Sequence, residues 1–470
     1  MATRHRIICV LLCVGLLLSL LPAQAQEIEY PISEDTVRFL GRGEWKQDAR
    51  SLNWPLAGIE FQFSGTAAWV YVSEMTGTVY WNVSVDGSDT CFRFGISAPG
   101  WYTLAEGLSN EAHTVLFSRS SEFSDGSALV QKLKVAGSAP VPTQPKARRM
   151  EFIGDSYTVG YANLQNMAPG AYKNAQNTDA WQSYAGIAAR ALHADANVIA
   201  WSGKGVEKNY FEPGYPFDMG GTMAKQFWSA DPIPVGDRPT SKWEFSDYMP
   251  QVVVSFLGTN DYNSVLPAGS APDEFYRAYY QFLCEVRAVY PSAVIIVCTK
   301  PSYCYLEQVQ DIVAALGGAE CGFEYLNFTA FGASAVDNHP NVSEHAAMGE
   351  QLVQKVNSIS DVWEDKPEFQ TVTAPDAAGY VPSRTLGSYS VVAGTDAPCL
   401  LTTVANSSAL ERIFTAVTFQ MENGVITACE MSPALKVPAQ NSVRVPAVFL
   451  KNANVICSVF LFEQRVSKKN

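Results

Sequence analysis

Four short segments of the chain combine turn-forming residues with side chains that can take part in acyl transfer. They are Gly-Asp-Ser at 154–156, Ser-Gly-Lys-Gly at 202–205, Gly-Thr-Asn-Asp at 258–261 and Asp-Asn-His at 337–339. A serine on a tight turn before a helix exposes its hydroxyl, and the helix N-terminus can stabilise nearby negative charge. Glycine lets a backbone N–H approach a ligand closely, and an asparagine amide can donate to an oxyanion. The set predicts a serine nucleophile surrounded by hydrogen-bond donors.

A serine nucleophile needs a general base, and the small number of histidines limits the choice. Beyond residue 25 the chain has four histidines: His113, His193, His339 and His345. The first lies in a β-patterned region and the second at the end of a predicted helix, which leaves the last two. We favour His339, because the carboxylate of Asp337 two positions earlier could orient its imidazole. His345 is expected to pack on its own helix.

The region that carries these segments, 149–365, alternates between predicted strands and helices. Apolar runs occur at 152–153, 198–200, 252–254 and 294–297, and predicted helices at 181–192, 273–290 and 343–357. Continuous apolar strands that alternate with helices are typical of a parallel sheet covered on both faces, a three-layer α/β fold. Ligands bind such a sheet beyond the C-terminal ends of its strands. Three of the four segments directly follow a predicted strand, which places them at that edge.

The flanking regions have a different pattern. Residues 27–137 show period-2 alternation broken by turn residues, which predicts a β-sandwich. A proline-rich stretch at 138–148 predicts an extended, semi-rigid linker. Residues 371–470 return to a β pattern, with strands expected at 413–419, 425–428, 443–449 and 455–462. We expect a small C-terminal β-rich domain there, without a catalytic constellation of its own.

The first 25 residues predict an export signal. Arg4 and Arg6 precede an apolar run at 7–21, and Ala23-Gln-Ala25 is a small-residue cleavage site, so the mature chain would begin at Gln26. The apolar run is short for a membrane span, so secretion or an extracellular location is expected, with no membrane insertion after cleavage. Released and surface-retained forms both remain open.

Charge and cysteine content restrict the partners. The formal net charge is −13, which disfavours binding to nucleic acid or anionic lipid and suits a neutral substrate. The cysteines beyond residue 25 are scattered without Cys-x-x-Cys pairs, so no zinc site is expected. Secretion permits disulfides, and Cys304 with Cys321 is one possible pair. Buried free thiols are an equal alternative.

In the order serine, glycine, asparagine and histidine, the four segments resemble the SGNH (GDSL-type) hydrolase superfamily. A jelly-roll β-sandwich before such a domain resembles carbohydrate esterase family 2, the acetyl xylan esterases. The resemblance covers about residues 35–360. It implies a secreted esterase that removes acetyl groups from plant polysaccharide such as xylan or glucomannan. No metal or other cofactor is implied.

The resemblance also assigns roles to individual residues. Ser156 would be the nucleophile, His339 the general base and Asp337 its orienting acid. The oxyanion hole would comprise the N–H of Ser156, an N–H of Gly203 or Gly205, and the Asn260 side chain. Most SGNH enzymes have Asp-x-x-His, but Val336 stands at that acid position here, and in some family members a backbone carbonyl orients the base. Three aromatic residues are candidates for stacking on sugar rings, with core packing as the alternative: Tyr157, Trp201 and Tyr262.

Other functions are compatible with the same residues. A lipase or thioesterase of the same superfamily would act on other acyl esters. A carbohydrate-binding protein could retain the fold without turnover, although the intact serine, asparagine and histidine set argues against it. The substrate could also be a polymer of the cell's own envelope.

Overall fold

The computed structural model describes residues 26–210, 221–233, 242–264, 269–302 and 305–364, and beyond them the backbone of seven strands between 389 and 464. The predicted export signal at 1–25 lies outside the described residues, as does Cys304. Within the described part of the chain, no helix has both the length and the hydropathy to cross a bilayer.

The N-terminal region forms a single antiparallel sheet of eleven strands. The strands are β1 Glu27–Pro31, β2 Arg38–Leu40, β3 Trp45–Lys46, β4 Ala49–Ser51, β5 Gly58–Met75, β6 Val79–Val85, β7 Phe92–Ile96, β8 Gly100–Ala105, β9 Glu111–Arg119, β10 Ala128–Gly137 and β11 Val141–Pro142. Alternate side chains of β5 are buried in the core, as period-2 patterning predicts.

The sheet is continuous and curled, whereas the sequence predicted the two separate sheets of a sandwich. The reason is the 18-residue strand β5, whose first half pairs with β9 and whose second half pairs with β10. The change of partner falls at Gly65, where a Cβ atom would lie 2.3 Å from the Ala136 carbonyl oxygen. Glycine therefore permits the close backbone approach that lets one strand serve both halves of the curl.

The predicted linker is attached to this sheet. Its residues Val141 and Pro142 form β11 and pair with Gln62 and Phe61 of β5. The chain then enters the first strand of the second domain, so the proline-rich stretch is held along the sheet.

The second domain is built on a five-stranded sheet in which every neighbouring pair is parallel, which confirms the predicted α/β fold. Its strands are β12 Arg148–Gly154, β13 Ala194–Ala200, β14 Val252–Phe256, β15 Val294–Thr299 and β16 Phe323–Asn327, in the order β13-β12-β14-β15-β16. The described helices are α1 Ser156–Val159, α2 Tyr184–Ala191, α3 Met223–Gln226, α4 Thr259–Asn263, α5 Pro272–Val289, α6 Leu306–Ala315 and α7 Val342–Asn357. Successive residues of β12, such as Phe152 and Ile153, belong to different apolar clusters. Both faces of the sheet are therefore covered.

Seven further strands follow in two antiparallel sheets. The first contains β17 Tyr389–Val392, β18 Cys399–Asn406 and β22 Asn441–Val448. The second contains β19 Arg412–Glu422, β20 Val425–Met431, β21 Leu435–Val437 and β23 Ile456–Gln464. That these strands constitute a separate domain stays a prediction.

Buried polar contacts join the first two domains. Arg42, in the loop between β2 and β3, pairs with Glu151 of β12 at 2.9 Å, and neither side chain is exposed to solvent. The guanidinium group of Arg42 also lies 5.1–5.2 Å from the ring centres of Phe227 and Trp243. Because a buried charge is stable only when it is paired and hydrogen-bonded, this contact fixes how the domains are docked.

Candidate active site

The serine predicted as nucleophile lies where the central strand ends. Strand β12 ends at Gly154, and Asp155 caps the first turn of α1 by accepting the N–H of Tyr157 at 3.0 Å. A Cβ atom at Gly154 would lie 1.9 Å from the hydroxyl oxygen of Thr158, so the tight turn requires glycine. Ser156 is therefore the first residue of α1, and its Oγ lies 2.8 Å from Nε2 of His339.

The histidine predicted as general base is presented by a short turn, residues 336–339, which we call the base turn. Nδ1 of His339 lies 3.1 Å from the backbone carbonyl oxygen of Asp337. Because a carbonyl oxygen can only accept, Nδ1 carries the proton, and Nε2 is left to accept the proton of the Ser156 hydroxyl. The imidazole is thus in the tautomer that general-base catalysis needs.

The carboxylate of Asp337 does not contact the imidazole, although the sequence predicted that it would orient His339. Instead it accepts a hydrogen bond from the Tyr161 hydroxyl at 2.8 Å. The ring of Tyr161 stacks on the imidazole with centroids 4.2 Å apart. Asp337 and Asn338 both have positive φ, 54° and 59°, which turns the Asp337 carbonyl towards Nδ1. The backbone of Asp337 therefore occupies the place expected for its side chain.

The imidazole of His339 is neutral at physiological pH. Burial disfavours its protonated form and lowers the pKa of His339 to about 4, despite opposing contributions from Asp337. A neutral imidazole can accept the serine proton without first losing one of its own.

The two candidate glycines differ in their hydrogen bonding. The N–H of Gly205 is donated to Oδ1 of Asn209 at 3.2 Å. A Cβ atom at Gly205 would lie 1.8 Å from the Lys208 carbonyl oxygen, so this glycine is needed for close packing. Gly203 has a φ of 81° and follows the end of β13 by three residues. The geometry favours Gly203 as the glycine whose N–H can meet a ligand.

Asn260 lies on the first turn of α4, directly after β14. Its Nδ2 donates to Oδ2 of Asp155 at 3.2 Å and to the carbonyl oxygen of Lys204 at 2.9 Å. The amide thus bridges the serine turn and the glycine turn. To donate to a bound oxyanion, it would exchange one of these two hydrogen bonds.

The turn formed by residues 202–208, which we call the donor turn, is held at both ends by buried carboxylates. Asp261 accepts the backbone N–H groups of Val206, Glu207 and Lys208 at 2.7–3.0 Å. Glu122 accepts both the N–H and the hydroxyl of Ser202 at 2.9 and 2.8 Å. Neither carboxylate was selected from the sequence, although Asp261 directly follows Asn260.

The three aromatic candidates occupy different environments. Trp201 is 4% exposed and packs edge-on against Phe123, which favours the core-packing alternative. Tyr157 is also buried, between Phe256 and Phe331 and next to His339. Tyr262 is 54% exposed, two residues after Asn260, so its ring can reach a ligand in solvent.

His345 is buried away from the serine hydroxyl. Its Nδ1 accepts the backbone N–H of Tyr184 at 3.2 Å, and burial lowers the pKa of His345 to about 3.

Tyr161 was missed in the sequence, although its position five residues after Ser156 places it on the chain leaving α1.

The site combines a serine hydroxyl in contact with a histidine nitrogen, a glycine turn and an asparagine amide, all at the C-terminal edge of a parallel sheet. This combination defines a serine hydrolase of the SGNH type. Sequence-family comparison agrees, since residues 152–347 match the GDSL-like lipase/acylhydrolase family. Residues 39–145 match the carbohydrate esterase 2 N-terminal domain, and the two matches together cover more than half of the chain.

Two curated relatives match long parts of the chain. The chain is 31% identical over 321 residues to the cellulase/esterase CelE of Acetivibrio thermocellus, covering 65% of this chain but only 37% of that protein. It is 26% identical over 256 residues to an acetylxylan esterase/glucomannan deacetylase of Cellvibrio japonicus, covering 53% of this chain and 68% of the relative.

Solved structures extend the likeness over both domains. A family 2 carbohydrate esterase with a carbohydrate-binding domain from Corynascus thermopiles (Myceliophthora fergusii) is 28% identical, with a TM-score of 0.61, covering 69% of this chain and 99% of that one. A family 2 esterase from Clostridium thermocellum in complex with cellohexaose is also 28% identical, with a TM-score of 0.59, covering 68% and 98%. These matches confirm the resemblance seen in the sequence: an SGNH hydrolase domain is preceded by a carbohydrate esterase 2 N-terminal domain.

Proposed function

We propose that this protein is a carbohydrate esterase that hydrolyses O-acetyl groups of plant polysaccharides through a serine acyl-enzyme. The observation that carries the proposal is the 2.8 Å contact between Oγ of Ser156 and Nε2 of a neutral His339. Nucleophile and base are thus within the distance over which a proton can be transferred.

The reaction proceeds in two acyl-transfer steps. Ser156 Oγ attacks the acetyl carbonyl carbon while its proton moves to Nε2 of His339. The tetrahedral intermediate collapses when the sugar oxygen leaves with that proton, which gives a free sugar hydroxyl and an acetyl-serine. Water then attacks the acetyl group, gives its proton to Nε2, and the second intermediate releases acetate as Ser156 regains its hydrogen.

The oxyanion of each intermediate is stabilised by the donors around Ser156. These are the N–H groups of Ser156 and Gly203 and the amide of Asn260. Each donor contributes on the order of 3 kcal/mol to lowering the barrier. His339 is oriented through the Asp337 carbonyl. The Asp337 carboxylate acts only indirectly, by binding the hydroxyl of Tyr161, whose ring stacks on the imidazole.

The names of the relatives indicate acetylated xylan and glucomannan as substrates for this chain. The Cellvibrio japonicus relative is named an acetylxylan esterase/glucomannan deacetylase, and the Clostridium thermocellum enzyme was solved with cellohexaose. A neutral polysaccharide also suits a chain of net charge −13, and the exposed ring of Tyr262 can stack on a sugar.

Acetate release from acetylated xylan and glucomannan tests the proposal, with wild type measured beside Ser156→Ala. We expect release by wild type alone. Cleavage of longer acyl esters without acetate release would favour the lipase or thioesterase alternative. Sugar binding without any turnover would favour a binding protein.

The organisation of the chain is part of the proposal. Residues 1–25 would direct secretion, and the mature chain would comprise an antiparallel-sheet domain at 27–137, a linker at 138–148, the hydrolase domain at 149–365 and a β-rich domain at 371–470. N-terminal sequencing of exported protein should begin at Gln26. An uncleaved N-terminus in the exported fraction would contradict this assignment.

A further inference from the structure

A carboxylate of the antiparallel-sheet domain reaches the donor turn. Glu122 lies between β9 and β10, at the start of a short 3-10 turn at Phe123–Asp125, and its side chain is fully buried. Oε2 accepts the backbone N–H of Ser202 at 2.9 Å, and Oε1 accepts the Ser202 hydroxyl at 2.8 Å. Both hydrogen-bond donors of Ser202 are therefore held by one side chain from the neighbouring domain.

The Glu122 carboxylate is kept ionised in this buried position. Burial alone would raise the pKa of Glu122, but Lys173 at 2.9 Å and the two Ser202 donors outweigh it, and the pKa is lowered. Lys173 also pairs with Asp125 at 2.6 Å. An ionised carboxylate accepts only, and its hydrogen bonds are stronger than those of a neutral acceptor.

Ser202 immediately precedes Gly203, whose N–H is the glycine donor of the proposed oxyanion hole. Gly203 has a φ of 81°, and glycine has more backbone freedom than any other residue. A donor on such a residue stabilises an oxyanion only if the neighbouring backbone fixes its direction. Asp261 fixes the far end of the donor turn, and Glu122 fixes the end next to Gly203.

We propose that Glu122 is a positioning residue of the oxyanion hole, so that the antiparallel-sheet domain completes the active site of the hydrolase domain. The inference rests on the proposed function, since it concerns the donors of that reaction. Glu122 contacts no substrate itself. It acts by holding the Ser202 peptide so that the Gly203 N–H is directed at the acetyl oxygen.

The test uses the full chain and the variant Glu122→Gln, which offers the donor turn one acceptor oxygen in place of two. Glu60→Gln is the matched control, because Glu60 lies in the same domain and binds Arg38 and Thr143 instead of the donor turn. Hydrolysis of nitrophenyl acetate gives kcat and KM, and thermal unfolding reports stability.

We expect Glu122→Gln to lower kcat and kcat/KM together by about 10- to 100-fold, with KM nearly unchanged, because the donor is displaced and not removed. Glu60→Gln should leave kcat within about twofold of wild type, since Glu60 bonds Arg38 and Thr143 and contacts no residue of the proposed site. A folded Glu122→Gln protein with wild-type kcat would overturn the inference. So would a loss of rate that follows only the fraction unfolded.

Ser202→Ala serves if Glu122→Gln does not fold, because it deletes one hydrogen bond and leaves Glu122 paired with Lys173. It should lower kcat by about 3- to 10-fold, because the Ser202 peptide then keeps only its backbone hydrogen bond to Glu122. Unchanged kcat in Ser202→Ala would count against the inference. If wild type itself shows no Ser156-dependent hydrolysis, the proposed function fails, whereas active wild type with insensitive variants rejects only the role of Glu122.

Discussion

The base turn contacts Ser156, and the donor turn is bridged to the neighbouring Asp155 by Asn260, but the two turns are held by opposite means. The base turn orients His339 through a backbone carbonyl and a stacked tyrosine ring, while its own carboxylate is exposed and turned away. The donor turn is held by two buried carboxylates, Glu122 and Asp261, which together accept four of its backbone N–H groups and the hydroxyl of Ser202.

This difference changes the interpretation of Asp337. Asparagine and aspartate are the non-glycine residues that most readily adopt the left-handed conformation, and Asp337 and Asn338 both do so. The Asp-Asn-His sequence is thus explained by the shape that its backbone must take. Charge at the base turn is expected to matter little, and charge at the donor turn to matter much.

The largest expected effect is the difference in turnover between substitutions of His339 and of His345. His339→Ala should reduce turnover by at least about 10³-fold, because it removes the group that takes the Ser156 proton. His345→Ala should keep most of the activity of the folded protein, since His345 contacts the Tyr184 backbone and not the serine. Measured kcat values for both variants, corrected for folded fraction, check this. The reverse result would move the base to His345.

Removing charge from the donor turn should have the next largest effect. Asp261→Asn is expected to lower kcat by about 10- to 100-fold, because an amide cannot accept three backbone N–H groups as a carboxylate does. Stability should fall as well, so kcat is compared with unfolding midpoints on the same samples. Full activity in a folded Asp261→Asn protein would show that the donor turn holds its shape without charge.

The pH profile of kcat/KM should show Asp155 and Asp261 taking up protons at higher pH than His339. Burial raises the pKa of Asp155 to about 7 and that of Asp261 to about 6, whereas burial lowers the pKa of His339 to about 4. As pH falls, the two carboxyls take up protons first and weaken their hydrogen bonds to the donors. Protonation of His339 then abolishes its basicity. We expect kcat/KM to decline gently from pH 7 to 5 and tenfold per unit below about 4.

The Asp261→Asn variant is the control for this profile, since an amide does not titrate. In this variant, kcat/KM should decline less than in wild type between pH 7 and 5. The tenfold loss per pH unit below about 4 should be unchanged. If kcat/KM of wild type fell only once, steeply near pH 4, protonation of Asp155 and Asp261 would leave the oxyanion donors in place.

The smallest effect is expected at Asp337. Asp337→Asn keeps the left-handed backbone and removes the charge, so kcat should fall less than about tenfold, and Tyr161→Phe should match it because it breaks the same hydrogen bond. Asp337→Ala should cost more, since alanine is strained at positive φ. A loss in Asp337→Asn comparable to that in His339→Ala would restore the carboxylate as the orienting group.

Residues at the ends of strands were the ones that the sequence could identify. Ser156, Asn260 and the 203–205 glycines each follow a continuous apolar run, and the parallel arrangement of those runs brings them to one edge. Periodicity also located the antiparallel region. It could not distinguish two sheets from one curled sheet, because alternation along β5 is the same in both cases.

Contacts between the domains left no signal in the sequence. Glu122 lies in a β-patterned segment, 80 residues from the serine it holds, and nothing local marks it as part of the site. The role of the Asp337 carbonyl was equally hidden, because sequence spacing reports side chains and not the direction of a peptide group. Both features depend on tertiary docking and backbone conformation.

The buried pair of Arg42 and Glu151 has a consequence for unfolding. If either domain melted first, the other would be left with an uncompensated charge, at a cost of about 3–5 kcal/mol. The aromatic rings around Arg42 would become hydrated at the same moment. Calorimetry should therefore record one endotherm for the two domains, with a van't Hoff enthalpy that corresponds to both.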